Sequence, residues 1–142
     1  MPSKLRQRVG LALVIGTLVV AIVVTQWPFE YRVSRYALEQ HWRRIDWSVM
    51  PGRGTHQFGR DFVQNLLMLI PLGFGWGLWR TTTRGRMILE SMLVGSATGL
   101  VLELAQLLTH ERYTQLADVW RNALGCIVGC ALAIVLQYGE VP

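Results

Sequence analysis

Charge is scarce in this chain, and lysine is almost absent from it. Charged residues make up 16% of the 142 residues and hydrophobic residues 51%, whereas an ordinary globular protein has about 25% charged residues. Thirteen of the 14 cations are arginines, and Lys4 is the single lysine. The cations flank apolar stretches and form no basic stripe interleaved with aromatic residues, which argues against a nucleic-acid-binding surface. The composition predicts a membrane protein.

Cysteines and metal-ligand motifs are equally sparse. The two cysteines, Cys126 and Cys130, lie four residues apart in an apolar run, where we expect small packing residues. No metal-ligand motif of recognised spacing occurs, although Glu103, His110 and Asp118 leave a site for a divalent ion open. No serine or cysteine stands beside a base as an activated nucleophile. We therefore predict neither a metal nor a cofactor.

Four apolar segments are long enough to cross a bilayer, which takes roughly 20 mainly apolar residues. We predict spans at about residues 9–27, 62–79, 87–108 and 116–138. The first span follows a basic segment, but no small-residue cleavage site comes after it, so we interpret it as an uncleaved anchor. The sequence thus predicts an all-α bundle of four transmembrane helices, forming a single membrane domain over residues 1–142.

The one longer loop, residues 28–60, connects spans one and two. Its middle, residues 31–47, is expected to form a short helix at the membrane interface, where tryptophan and tyrosine are favoured. With four spans, both termini and the arginine-rich connection 80–86 lie on the same side of the membrane. The dense cations beside the first span favour cytoplasmic termini, although the long loop carries more arginines in total, spread among acidic residues.

Polar side chains are concentrated at one end of three predicted spans. Because neighbouring spans run antiparallel, span two begins, span three ends and span four begins at the same membrane face. The groups in this layer are Asp61, Asn65, Glu103, Gln106, His110, Asp118 and Asn122. Ionisable groups within spans are costly and usually functional. We therefore predict a polar pocket that binds a ligand, in which Arg112 of the adjoining connection would hold an anion.

Glu103 lies deepest in this layer, about 8 Å from the end of its span at 1.5 Å per residue. It is therefore the first candidate for a general acid or base, with Asp118 as the second. Arg112 and Arg121 are the cations available to offset these carboxylates. A purely structural interpretation is also open, in which Arg112 pairs with one carboxylate and the amide side chains link the helices. A solvated loop residue is the plainer interpretation of His110.

Two glycine pairs with four-residue spacing lie in spans three and four. They are Gly95 with Gly99, and Gly125 with Gly129. Small residues at this spacing allow membrane helices to approach closely, and both pairs fall near the helix faces that carry the polar residues. We therefore predict that these two spans pack on each other through their glycines.

Several of these residues, in their order and spacing, resemble the VanZ-like family of small bacterial membrane proteins. The resemblance covers about residues 61–130, and the first span and the long loop lie outside it. It rests on Asn65–Gly73 (NLLMLIPLG), Glu103–Gln106 (ELAQ) and Asp118–Gly125 (DVWRNALG), with Asp61, Arg112 and Gly129. It implies a multi-pass protein of the bacterial inner membrane that is associated with the cell envelope and with resistance to glycopeptide antibiotics such as teicoplanin. It implies no settled catalytic activity.

We therefore expect a membrane protein whose pocket near the outer leaflet binds a lipid headgroup or an envelope precursor. Three alternatives stay open: an enzyme acting on a lipid-linked envelope substrate with Glu103 as acid/base, a transporter that would need dimerisation to line a path, and a structural or partner-binding protein. The sequence also leaves open a homo-oligomer.

Overall fold

The computed structural model describes residues 3–31, 34–43, 45–48, 56–109 and 115–138. Its helices are α1 (Ser3–Gln26), α2 (Arg35–Arg43), α3 (His56–Trp79), α4 (Arg84–Gln106) and α5 (Leu116–Tyr138). By length and composition, all of these except the short α2 qualify as candidate membrane spans. Within the described ranges there is no β-strand, only two isolated bridges. The predicted all-α bundle with four spanning helices is confirmed.

The helix ends follow from local chemistry. α1 ends at Gln26, just before Pro28, which lacks the N–H that a continuing helix would need. α4 begins after Thr83, whose backbone is extended (φ −66°, ψ 148°) and whose carbonyl accepts the N–H of Met87 at 2.9 Å. α3 contains Pro71 and nevertheless continues to Trp79. Membrane helices tolerate such a proline because neighbouring groups compensate for the lost hydrogen bond.

Glycines bring α3 and α5 into direct backbone contact at the centre of the bundle. A Cβ atom added at Gly73 would lie 1.9 Å from the Cys126 carbonyl oxygen, and one added at Gly129 would lie 2.0 Å from the Ile70 carbonyl oxygen. α1 packs on the opposite face of α3 in the same way, since a Cβ atom at Gly10 would lie 2.6 Å from the Gly75 carbonyl oxygen. No larger residue fits at these positions without separating the helices.

The glycines of α4 and α5 do not face each other, which differs from the prediction made for them. Gly95 and Gly99 contact α5 at Asn122 and Ala123, but Gly125 and Gly129 contact α3. At about 100° per residue, Asn122 and Gly125 are roughly 60° apart on α5. Two positions that far apart on a helix can face two different helices. Asn122 therefore contacts α4, whereas Gly125 contacts α3.

The outer surface of the bundle is strongly apolar. Large hydrophobic side chains are more than half exposed on α1 and α5, for example Val19 and Val135, whereas Leu69, Leu72 and Cys126 are fully buried between the helices. An apolar exterior of this extent is unfavourable in water and favourable in lipid. The pattern fits a bundle surrounded by hydrocarbon.

The described part of the long loop covers the end of the bundle where α4 ends and α5 begins. The Asp46 carbonyl accepts the N–H of Leu116 at 3.0 Å, and Tyr31 forms a bridge with Thr109. The Nδ1 atom of His41 on α2 lies 2.6 Å from the Leu107 carbonyl oxygen. Because α2 is tied to this end, the loop is a cap over it. The helix predicted within residues 31–47 is present as α2, which is shorter.

Candidate functional site

Five polar residues lie beneath the cap, where α4 ends and α5 begins. They are Glu103 and Gln106 of α4 with Asp118, Arg121 and Asn122 of α5, and we refer to them as the polar cluster. Glu103 is 5% exposed, Arg121 0% and Asn122 2%. Buried polar and charged groups are costly unless they are paired, so their partners determine what this cluster can do.

Glu103 joins the end of α4 to the beginning of α5. Its Oε2 atom accepts the backbone N–H of Gln115 at 3.0 Å, and Gln115 directly precedes α5. A carboxylate in this position stabilises the start of a helix, where backbone N–H groups lack intrahelical acceptors. Glu103 therefore has a structural contact in addition to any role in binding.

Arg121 is the cation of the cluster and is completely buried. Its Nη1 atom donates to Oδ1 of Asp118, one turn earlier on the same helix, at 2.5 Å. The guanidinium carbon lies 5.9 Å from the ring centre of Phe62 on α3 and 5.7 Å from that of Trp120. The spacing of Asp118 and Arg121 was visible in the sequence, but their burial depends on the two aromatic rings that enclose the guanidinium.

Asn122 packs against α4 and carries a buried hydrogen-bond acceptor. A Cβ atom added at Gly99 would lie 2.9 Å from Nδ2 of Asn122, so the carboxamide sits directly against α4. Its Oδ1 atom is buried and has no hydrogen-bond partner within the described part of the chain. A buried acceptor without a donor costs free energy, about 1–3 kcal/mol, which a bound donor would remove.

The other predicted site residues are placed less completely. Asn65 is half-buried on α3, one turn after Phe62, whose ring packs 5.9 Å from that of Trp120. Asp61 lies in α3 beside Phe62, but its side chain is outside the described part of the structure. His110 and Arg112 fall within residues 110–114, which are also outside it. α3, α4 and α5 therefore meet at this end, while the contacts of Asp61, His110 and Arg112 stay predictions.

Metal-ligand residues are not grouped in the described ranges. No three His, Cys, Asp or Glu side chains there lie together as a metal site would require. What the cluster offers instead is two amides, two carboxylates and a guanidinium, a set suited to hydrogen bonding with a polar organic group.

An open apolar groove of about 620 Å³ lies beside the polar cluster, between α4 and α5. It is lined by Met92, Ser96, Leu116, Val119, Trp120, Ala123, Leu124 and Ile127. On α5 these residues alternate with Asp118, Arg121 and Asn122, so the groove and the cluster occupy adjoining faces of one helix. From Leu116 to Ile127 the groove extends about 17 Å along the helix axis.

The cap over the cluster has a well-defined turn of its own. The backbone N–H and the hydroxyl of Ser48 both donate to Oδ1 of Asp46, at 2.9 and 2.5 Å. These hydrogen bonds favour the charged carboxylate and hold the pKa of Asp46 below its usual value. The same residue anchors the cap to α5 through its backbone carbonyl.

A family model described as VanZ/LLP1 matches residues 11–137. The chain belongs to the VanZ/LLP1 family. The match includes most of α1 and the whole long loop, so the family pattern is wider than the 61–130 core expected from sequence. No curated protein and no solved structure matches the chain. Family membership and the helix bundle together identify a VanZ/LLP1 membrane protein.

Proposed function

We propose that this VanZ/LLP1 protein binds the polar headgroup of a membrane lipid or of a lipid-linked cell-envelope precursor at its polar cluster. Asn122 carries the proposal. Its Oδ1 atom is a buried acceptor without a hydrogen-bond partner in the described structure. On α5 Asn122 directly follows Arg121, whose guanidinium pairs with Asp118. A ligand that donates a hydrogen bond to Asn122 would remove the cost of this arrangement.

The chemistry of the cluster favours a headgroup with both donors and a phosphate. Hydroxyl or ammonium groups complement Asn122 and the carboxylates of Glu103 and Asp118. A phosphate complements a guanidinium, which Arg121 and the predicted Arg112 would supply. Sugar–phosphate and amine–phosphate headgroups combine these features.

The groove between α4 and α5 favours a lipid over a small soluble ligand. It is apolar, it adjoins the cluster on α5, and it belongs to helices with the length and composition of membrane spans. A hydrocarbon chain attached to a headgroup in the cluster would lie along this groove. The proposed ligand is therefore anchored in the bilayer.

We place the protein in the bacterial inner membrane with both termini in the cytoplasm. The cations of the first span and of the 80–86 connection support this orientation. The polar cluster then lies near the outer leaflet, where envelope precursors are exposed. In this position, retention of such a precursor would affect sensitivity to a glycopeptide antibiotic such as teicoplanin.

Lipids that copurify with the protein from native bacterial membranes test the proposal. We expect wild-type protein to retain one lipid class selectively, detected by mass spectrometry, and Asn122→Leu to retain it about tenfold less, a change equivalent to 1.4 kcal/mol. Leucine has the same branched shape as asparagine, so the space that the Asn122 side chain occupies against Gly99 stays filled. Glu103→Gln should also weaken retention, while its amide oxygen still accepts the Gln115 N–H.

Glu90→Gln is the matched control, because it makes the same change on α4 at the opposite end of the bundle. It should retain the lipid at the wild-type level. Equal retention by wild type, Asn122→Leu and Glu103→Gln would disprove the proposal, as would a wild-type protein that enriches no lipid. Thermal unfolding of each variant in detergent separates loss of binding from loss of folding.

A further inference from the structure

The end of the bundle opposite the polar cluster carries a dense set of cations. They come from the first turns of α1, from the residue that follows α3 and from the first turn of α4. We refer to them as the cationic rim: Lys4, Arg6, Arg8, Arg80, Arg84 and Arg86. Glu90 is the acidic residue among the described residues of this end. The described part of the rim therefore has six positive charges against one negative charge.

Packing of α1 on α3 joins the two groups of cations into one surface. A Cβ atom added at Gly10 would lie 2.6 Å from the backbone N of Trp79, at the last residue of α3. Because α1 and α3 run antiparallel, Arg6 lies one turn, about 6 Å, beyond Gly10 in the direction of Arg80. The first turns of α1 thus flank the α3–α4 connection.

Glu90 holds part of the rim in a fixed geometry. Its carboxylate accepts two hydrogen bonds from Arg80, at 2.8 and 3.0 Å, and one from Arg86, at 3.0 Å. One carboxylate thus pairs with two guanidinium groups, so the three side chains together keep a net positive charge. The side chain of Arg86 is 67% exposed, so this charge faces the surroundings of the protein.

Tryptophans place the rim at the level of the lipid headgroups. The guanidinium carbon of Arg80 lies 5.8 and 5.9 Å from the ring centres of Trp76 and Trp79. Tryptophan is enriched at membrane–water interfaces, and α3 ends at Trp79. Phosphodiester groups of the adjoining leaflet would therefore lie within reach of the arginines.

We propose that the cationic rim is a binding site for the phosphodiester headgroups of anionic phospholipids. Five of its six cations are arginines, whose planar guanidinium binds phosphate through two hydrogen bonds where lysine offers a point charge. Lys4, Arg8, Arg84 and Arg86 are exposed, and clusters of four to eight such cations at a membrane surface attract anionic lipid. The site is independent of the polar cluster at the other end.

Reconstitution in nanodiscs tests the site, because both membrane faces are then accessible whatever the orientation in cells. The probes are nanodiscs of phosphatidylcholine alone and of phosphatidylcholine with phosphatidylglycerol. We expect wild-type protein to enrich phosphatidylglycerol among its bound lipids and to unfold at a higher temperature in its presence. Arg8→Gln/Arg84→Gln should reduce the enrichment about fivefold for each charge removed (about 1 kcal/mol, at 1.4 kcal/mol for each factor of ten).

Arg35→Gln/Arg43→Gln is the matched control, because it removes two exposed arginines from α2 at the other end of the bundle. It should keep the wild-type enrichment. Equal losses in the two double variants would overturn the proposal, since the attraction would then follow net charge. Should Arg8→Gln/Arg84→Gln fold poorly in detergent, Lys4→Gln/Arg8→Gln, confined to exposed positions of α1, must show the same loss.

Inorganic phosphate added to the lipid-free protein in detergent separates the two sources of a phosphate group. We expect it to leave the unfolding temperature of wild-type protein unchanged, because the rim binds a phosphate group that is held at the membrane surface as part of a lipid. Stabilisation by phosphate alone, lost in Arg8→Gln/Arg84→Gln, would overturn the assignment to lipid. Asn122→Leu should keep the phosphatidylglycerol enrichment, so failure at one end of the bundle does not imply failure at the other.

Discussion

At the scale of single residues, glycine controls how closely the helices approach. Gly129→Ala should destabilise the bundle, because the new methyl group would lie 2.0 Å from a backbone oxygen of α3. Overpacking of this kind costs about 1–3 kcal/mol. The measurement is thermal unfolding in detergent, followed by loss of helical circular dichroism.

Gly16→Ala is the control for that substitution. A Cβ atom at Gly16 meets no other atom within 4 Å, so alanine should leave the stability unchanged or raise it by about 0.5–1 kcal/mol, the usual preference for alanine in a helix. Equal effects of the two substitutions would show that Gly129 acts through helix propensity and not through contact with α3.

Asp118 is expected to stabilise the fold through Arg121. Asp118→Asn removes the carboxylate charge that faces the fully buried Arg121 guanidinium, and breaking a buried ion pair from one side costs about 3–5 kcal/mol. The free energy of unfolding of Asp118→Asn should therefore fall much more than that of Glu90→Gln, whose arginine partners are exposed to a third or more.

A double variant tests the cause of that loss. Asp118→Asn/Arg121→Met removes the buried charge as well, so part of the lost stability should return, because an apolar side chain can replace a buried ion pair at little cost. A double variant less stable than Asp118→Asn would contradict this account and assign the stabilisation to contacts of Arg121 with Phe62 and Trp120.

The buried polar residues could be predicted from sequence only in part. Glu103, Asp118 and Asn122 stand at span ends that antiparallel order brings to one face, and this required no coordinates. Which arginine pairs with Asp118 could not be predicted in the same way, since Arg112 and Arg121 are both close to it along the chain. Enclosure of the Arg121 guanidinium by Phe62 and Trp120 depends on how α3 packs against α5, which no local pattern specifies.

At the scale of elements, a contact of His41 helps to hold α2 over the polar cluster. His41→Ala removes the interaction of Nδ1 with the Leu107 carbonyl, 2.6 Å away, and such a hydrogen bond contributes about 1 kcal/mol. We expect faster amide hydrogen exchange in α2 and residues 45–48, while exchange in the core of α3 and α5 is unchanged. Equally faster exchange in α5 would mean that the cap and the bundle unfold together.

Helix bounds show where hydropathy is a good guide and where it is not. The spans predicted at residues 62–79 and 116–138 agree with the candidate spans Phe62–Trp79 and Leu116–Gln137, whereas the span in α4 begins at Arg84 and not at residue 87. The helix α3 itself continues before Phe62 and begins at His56. A hydropathy pattern reports which residues suit hydrocarbon. A helix continues into polar residues such as the arginines of 84–86, since arginine favours helix and the ion pair with Glu90 supports that turn.

At the scale of the whole molecule, the sequence predicts four antiparallel spans but not which of them pack against one another. Short connections are compatible with more than one arrangement of four helices. The observed arrangement has α3 between α1 and α5, and backbone contacts at Gly10, Gly73 and Gly129 hold it together. Because the glycines of α5 meet α3, the polar cluster is bordered by three helices and not only by α4 and α5.

The orientation of the bundle determines which leaflet the polar cluster faces. Single cysteines at Ser48, in the cap, and at Thr82, between α3 and α4, should be on opposite sides of the membrane. Cys126 and Cys130 are fully buried and give little background with a membrane-impermeant maleimide. We expect Ser48→Cys to react in intact cells and Thr82→Cys to react only after permeabilisation.

The reverse result would place the polar cluster at the cytoplasmic leaflet, where a lipid precursor is assembled and not yet exported, and the cationic rim outside. Reaction of both cysteines from one side would contradict the four-span topology itself, because α3 must cross the membrane between them.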